Sequence, residues 1–159
     1  MLPARLAARS AVLDGDLVVV DRWGRADRPA LAARLADGPG PPIVYLVFDL
    51  LYLDGHPLLG LHLKRRRELL DRLLRPGDTI VAVPAISGDG RALHAAAVAQ
   101  GIAGVVARHR RSPYLPGVRS QLWRFIPAAP DASPGEAEPV PPAAAPVLAL
   151  IERLPFPDE

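Results

Sequence analysis

The sequence predicts one domain of mixed helices and strands over residues 1–126, followed by an acidic, proline-rich tail over 127–159. Three observations predict it. Strand-length apolar runs alternate with segments whose leucines fall at helical spacing, and Gly, Pro and Asp turns separate them. The first 126 residues carry eighteen basic and eleven acidic side chains, whereas the last 33 carry one basic and six acidic. Nine of those last 33 residues are proline, a composition that cannot bury enough surface to fold. A chain of 159 residues has room for one domain, and half of them are hydrophobic, enough to fill its core.

The elements follow in order. Leu13 to Asp21, centred on Leu17-Val18-Val19-Val20, reads as a buried strand with Arg22-Trp23-Gly24-Arg25 as its turn. Asp27 caps a short helix with Pro29 in its first turn, Leu31 and Leu35 facing inward, and a stop near Gly38. Ile43 to Leu53 is a half-buried strand closed by the Asp54-Gly55 turn. From Lys64 to Leu74, Leu69, Leu70, Leu73 and Leu74 share one helical face, and Pro76-Gly77 ends that helix. Thr79 to Val83 is a short strand. Ser87 or Asp89 caps an alanine-rich helix that Gly101 stops. Gly104 to Arg108 and Leu122 to Ile126 are the last strands. The tail reads as largely disordered linker, except that Val147, Leu150, Ile151 and Leu154 sit at helical spacing over 147–154. That short helix would either pack on itself or dock in a partner's groove.

Composition excludes several functions. No run of about 18 apolar residues exists, which excludes a membrane-spanning helix. The start, Met-Leu-Pro-Ala-Arg, lacks the pattern of a signal peptide. There is no cysteine, hence no disulfide framework and no thiolate metal site. These features together favour the cytoplasm. His56, His62, His94 and His109 lack zinc-ligand spacing. Asp14 and Asp16 fall on one face of their strand and Asp21 on the other. The basic body, net +7 against −5 for the tail, suits a polyanionic partner. Eighteen of nineteen basic residues are arginine, so Lys64 is the one candidate for lysine-based covalent catalysis.

Four segments, in register across residues 8–126, carry a resemblance. They are Leu13-Asp14-Gly15-Asp16-Leu17-Val18, Phe48-Asp49-Leu50-Leu51-Tyr52-Leu53-Asp54-Gly55, Gly101 to Arg108, and Ser112 to Trp123. Together they resemble the nucleotidyltransferase (adenylation) domain of ATP-dependent DNA ligases, nearest to the ligase D type of bacterial end joining. Leu61 to Leu74 resembles that family's helix with paired arginines. The resemblance implies an α+β fold of mostly antiparallel sheets flanked by helices, the later part of a ligase adenylation domain. It also implies ATP and magnesium as cofactors. Asp16, Phe48 and Arg108 would be the nucleotide-binding residues, with Phe48 against adenine.

The same resemblance marks departures. The family's nucleophilic lysine, in a Lys-x-Asp-Gly motif, lies upstream of the first matching segment and is expected to be missing here. Lys64, beside three arginines at a helix start, reads as solvated rather than as a substitute. Asp16 stands for a glutamate, Ala103 for a metal-directed glutamate, and Phe125 and Pro127 for two phosphate-contacting lysines. The expectation is a decayed or repurposed ligase domain, unable to form lysyl-AMP alone. Alternatives are a non-catalytic DNA- or partner-binding module, or half of a split ligase whose lysine comes from another polypeptide. No acid occurs from Ala103 to Ile126, so Arg110, Arg111 and Arg119 would contact the backbone of nicked or broken duplex DNA, or simply solvate their loop. The family's following OB-fold domain is expected to have no counterpart, with the tail in its place. Absence of the first strands would leave an exposed sheet edge, and self-association is expected.

Overall fold

The structure, a computed structural model, describes residues 5–22, 24–75 and 77–129. The predicted helix at 147–154 and most of the tail therefore lie outside the described residues. Two units separate: one of residues 5–59 with 64–83, the other of 60–63 with 84–129.

In the first unit, strand β1 (Ala11–Val18) pairs antiparallel with β2 (Val44–Leu53) along its whole length. Asp54 and Gly55 both adopt positive φ, 43° and 97°, the backbone a two-residue hairpin turn requires. They return the chain into β3 (His56–Pro57), where Leu53 faces His56. The Asp54 carboxylate accepts the amides of Arg9 and Ser10, both at 2.8 Å, and so ties the entry of β1 to this turn. Strand β4 (Ile80–Ala82) pairs with β2 in parallel, from Tyr45 against Ile80 to Val47 against Ala82. The sheet is mostly antiparallel, and this one parallel pairing is a feature that the apolar pattern of Thr79 to Val83 does not encode.

Helix α1 (Arg28–Leu35) begins at Asp27, whose carboxylate accepts the Ala30 amide at 2.9 Å, as its sequence position requires. Leu35 corrects the expectation of an inward face: it is 61% exposed, and α1 buries no residue. The helix is only eight residues long, and its last turn ends in solvent. Helix α2 (Leu63–Leu73) is strongly amphipathic, with Leu70 fully buried and Leu74 just past its end nearly so. They join Val47, Leu50, Leu58 and Ile80 in the core, with Leu13, Tyr45, Leu69 and Leu73 packed against it. Burying each such aliphatic side chain contributes about 1.5–3 kcal/mol.

Two register shifts interrupt the β1–β2 ladder. Asp14 faces Asp49 but Gly15 faces Val47, which leaves Phe48 as the extra residue of a β-bulge. Leu51 is skipped likewise between the Val12–Tyr52 and Leu13–Leu50 pairs.

In the second unit, helix α3 (Gly90–Ala99) starts at Asp89, which accepts the Ala92 amide at 3.4 Å. It stops as predicted at Gly101, whose φ is +68°. The Gly101 amide bonds Val98 O and the Ile102 amide bonds Ala97 O, the paired bonds of a Schellman end. Strands β5 (Gly104–Arg108) and β6 (Trp123–Pro127) form an antiparallel pair, Val106 facing Phe125 and Arg108 facing Trp123. The ladder runs to Pro127, and the Ala128 amide still bonds Ala103 O at 2.8 Å. Among the described residues no helix is long and apolar enough to cross a membrane.

Candidate functional site

The site residues of the first unit stand on the irregular part of the β1–β2 ladder. Asp14 and Asp16 share one face of β1, since the extra residue belongs to β2 and β1 keeps its period of two. Asp16 is exposed. Asp21 lies beyond β1, in a turn where its carboxylate pairs with Arg25 at 3.1 Å, so it serves the turn. Gly15 lies between the two aspartates, and an added Cβ would come within 2.2 Å of Leu46 O and 2.9 Å of the Tyr45 ring. The Tyr45 ring therefore packs where Gly15 has no side chain, and its hydroxyl donates to Leu13 O at 2.9 Å. Burial, and then the charges of Asp14 and Asp16, push the Tyr45 hydroxyl above its ordinary pKa.

Phe48 is half-buried and is the bulged residue itself. A bulge re-aims side chains away from the regular alternation of the strand. Its backbone is held from helix α2. Arg67 donates through Nη1 to Phe48 O at 2.7 Å and through Nη2 to Val83 O. The neighbouring Asp49, fully buried, takes Arg66 Nε on Oδ1 and Nη2 on Oδ2, both at 2.8 Å, and accepts the Leu50 amide at 2.9 Å.

Sequence reading matched the helix with its paired arginines to the family but gave neither Arg66 nor Arg67 a role in this region. One signal was present: Arg66 lies four residues before Leu70, on the apolar face of α2, where a charge requires a buried partner.

In the second unit, the Arg108 guanidinium stacks over the Trp123 ring, 4.3 Å from its centroid. Tyr114 meets the same ring edge-on at 5.4 Å. Trp123 Nε1 donates to the hydroxyl of buried Ser112 at 3.1 Å, and the Leu63 amide donates to Ser112 O at 2.9 Å. These contacts pin the loop between β5 and β6. Arg110, Arg111 and Arg119 stand exposed on that loop. Ala103 precedes β5 and places no carboxylate there, and Phe125 lies in β6, half-buried.

Asp16 and Phe48 thus belong to one unit, and Arg108, Arg110, Arg111 and Arg119 to the other. Lys64, in the first turn of α2, is 60% exposed and pairs with Glu68 at 3.7 Å. A shallow depression of about 460 Å³ beside the β1–α1 turn, lined by Asp21, Arg25 and Asp27, contains none of the candidate residues. Among the described residues no three His, Cys, Asp or Glu side chains gather to hold a metal ion. The donor set therefore does not amount to a magnesium site built by protein alone, and any such ion would depend on phosphate oxygens and water.

Comparison with known proteins places this geometry in a family. The pattern of the ATP dependent DNA ligase domain matches residues 2–125. The multifunctional non-homologous end joining DNA repair protein LigD of Mycobacterium tuberculosis is 39% identical over 119 residues, which are 74% of this chain and 15% of that protein. The crystal structure of the ligase domain from M. tuberculosis LigD superposes with a TM-score of 0.60 at 32% identity, over 74% of this chain and 37% of that one. A mycobacterial DNA ligase D complexed with ATP and MES gives 0.59 at 33% identity, over 72% and 37%. The chain spans about one seventh of the curated relative and over a third of the solved ligase domains. With the match covering most of its residues, the chain belongs to the ATP dependent DNA ligase domain family.

Proposed function

We propose that this chain forms the adenine- and DNA-facing part of a ligase D-type nucleotidyltransferase for DNA end joining, and that it does not form lysyl-AMP by itself. The observation that carries the reading is Phe48, a half-exposed aromatic ring at the bulge of the segment that resembles the family's nucleotide-binding motif. A relative has been solved with ATP, which supports ATP as the nucleotide. Phe48 would stack on adenine, and Asp16 would lie toward the nucleotide from β1. Arg108, oriented by Trp123, would offer a cation to phosphate. Magnesium would enter with the nucleotide's phosphates and offset their charge.

Lys64, the chain's one lysine, is engaged with Glu68 on a solvated helix face. A nucleophilic lysine would have to come from polypeptide outside these 159 residues, in the same protein or a partner. Ala103, Phe125 and Pro127 add a second reason for inactivity of this chain alone, since they offer neither carboxylate nor ammonium to metal and phosphate.

The exposed arginines of the β5–β6 loop favour a companion role, contact with the backbone of nicked or broken duplex DNA in the cytoplasm. Titration of the full chain with ATP, read by calorimetry, tests the adenine reading. Binding that weakens about tenfold in Phe48→Ala supports it, and binding indifferent to Phe48 contradicts it.

A further inference from the structure

The two edges of β2 are treated differently along its length. One is paired with β1 from Val44 to Leu53, with Phe48 and Leu51 skipped. β4 pairs with β2 only as far as Val47, and β3 rejoins it only from Tyr52. Between these two pairings the ladder on that side has a gap, bridged at Leu51 by the Leu58 amide bonding Leu51 O at 2.8 Å, and the bulge at Phe48 falls at the start of this gap. A bulge beside a break in the ladder is adaptable unless side chains hold it.

Two consecutive arginines of α2 fill the gap. Arg66 clamps the Asp49 carboxylate through two parallel bonds. Arg67 bridges two carbonyls, Phe48 O at the bulge and Val83 O at the end of β4. Each arginine grips one of two successive residues, so the chain is held at two points just after the Phe48 Cα, at the Phe48 carbonyl and at the Asp49 carboxylate. A forked guanidinium can serve two acceptors at set angles, whereas an ammonium on a flexible stem cannot hold both with the same geometry.

We infer that Arg66 and Arg67 are positioning residues for Phe48: they set the bulge so that the ring is presented to a nucleobase. This rests on the adenine reading of Phe48 and goes beyond it by making base affinity depend on residues that bond the Phe48 carbonyl and the Asp49 carboxylate. Arg67 is the better probe, because it is half-buried, whereas Arg66 belongs to a fully buried ion pair.

The test labels the three phenylalanines of the full chain with 4-fluorophenylalanine and records fluorine NMR spectra of wild type, Arg67→Met and Arg67→Lys. The Phe48 resonance, assigned by Phe48→Leu, is expected to shift or broaden in both variants while that of Phe125 stays in place. ATP and inorganic tripolyphosphate are then titrated into each protein. ATP affinity is expected to fall about tenfold in Arg67→Lys, with tripolyphosphate affinity within twofold of wild type. Should Arg67→Met lose cooperative melting, Arg67→Lys carries the comparison, since it retains a donor for one carbonyl. An unmoved Phe48 resonance in Arg67→Lys would overturn the proposal, as would equal losses for ATP and tripolyphosphate. A wild-type Phe48 resonance that ignores saturating ATP sinks the adenine reading instead, while its displacement in the Arg67 variants without ATP would still support positioning of the ring.

Discussion

Arg66 and Asp49, seventeen residues apart, form a doubly hydrogen-bonded ion pair with both bonds at 2.8 Å and neither side chain exposed. Such a pair contributes little net stability over a well-packed apolar one, but removal of one partner strands the other charge in the core. Arg66→Met is therefore expected to cost about 3–5 kcal/mol, read from urea unfolding followed by circular dichroism. The double variant Arg66→Met with Asp49→Leu is expected to recover over half of that loss. A single variant within 1 kcal/mol of wild type would contradict this burial.

Gly15 marks a second tight contact. An added methyl at this position would press on the Leu46 carbonyl and the Tyr45 ring, and the carbonyl belongs to a paired strand that cannot simply rotate away. Gly15→Ala is expected to destabilise at the upper end of the about 1–3 kcal/mol typical of overpacking. Thermal melting measures it, and Gly60→Ala, with open space around its Cβ, serves as control.

Much of this architecture was legible in the chain. Asp27 and Asp89 have the short acceptors that helix starts use, Gly101 the φ that a helix stop uses, and Asp54-Gly55 the pair that a tight hairpin uses. All are local signals, decided by one or two residues. The bulges at Phe48 and Leu51 were not legible, because the run from Val44 to Leu53 is almost continuously apolar and shows no break in a period of two. Parallel pairing of β4 with β2 is a long-range choice that three apolar residues do not specify. At the site, the resemblance picked out Phe48 and Asp16, whereas the contacts around them, Arg67 on Phe48 O, Arg66 on Asp49 and the Tyr45 ring against Gly15, act across the fold and show only there.

Tyr45 gives the account a pH signature. Its hydroxyl pKa in the folded state is raised by burial, Asp14 and Asp16, whereas in the unfolded chain it sits near 10. Above that pH the unfolded state releases the proton first, so stability is expected to fall as pH rises from 10 through the raised value. The difference between wild type and Tyr45→Phe in urea midpoints across pH 9–11 isolates this group. Asp14→Asn with Asp16→Asn is expected to reduce the difference, and a pH-independent difference would contradict the electrostatic cause.

The exposed arginines predict a salt effect. If Arg110 and Arg111 each neutralise one backbone phosphate, the slope of log affinity against log salt for nicked duplex DNA is expected to shrink by about 0.9 per arginine removed. Fluorescence anisotropy of Arg110→Ala with Arg111→Ala over a salt series reads this. An unchanged slope would return these side chains to simple solvation of the β5–β6 loop.

The claim that this ligase-family chain does not adenylylate itself is tested most directly with labelled nucleotide. The full chain is incubated with α-labelled ATP and magnesium, denatured, and examined for covalent label. No label is predicted. A covalent AMP adduct mapped to Lys64, and abolished by Lys64→Arg, would contradict the account.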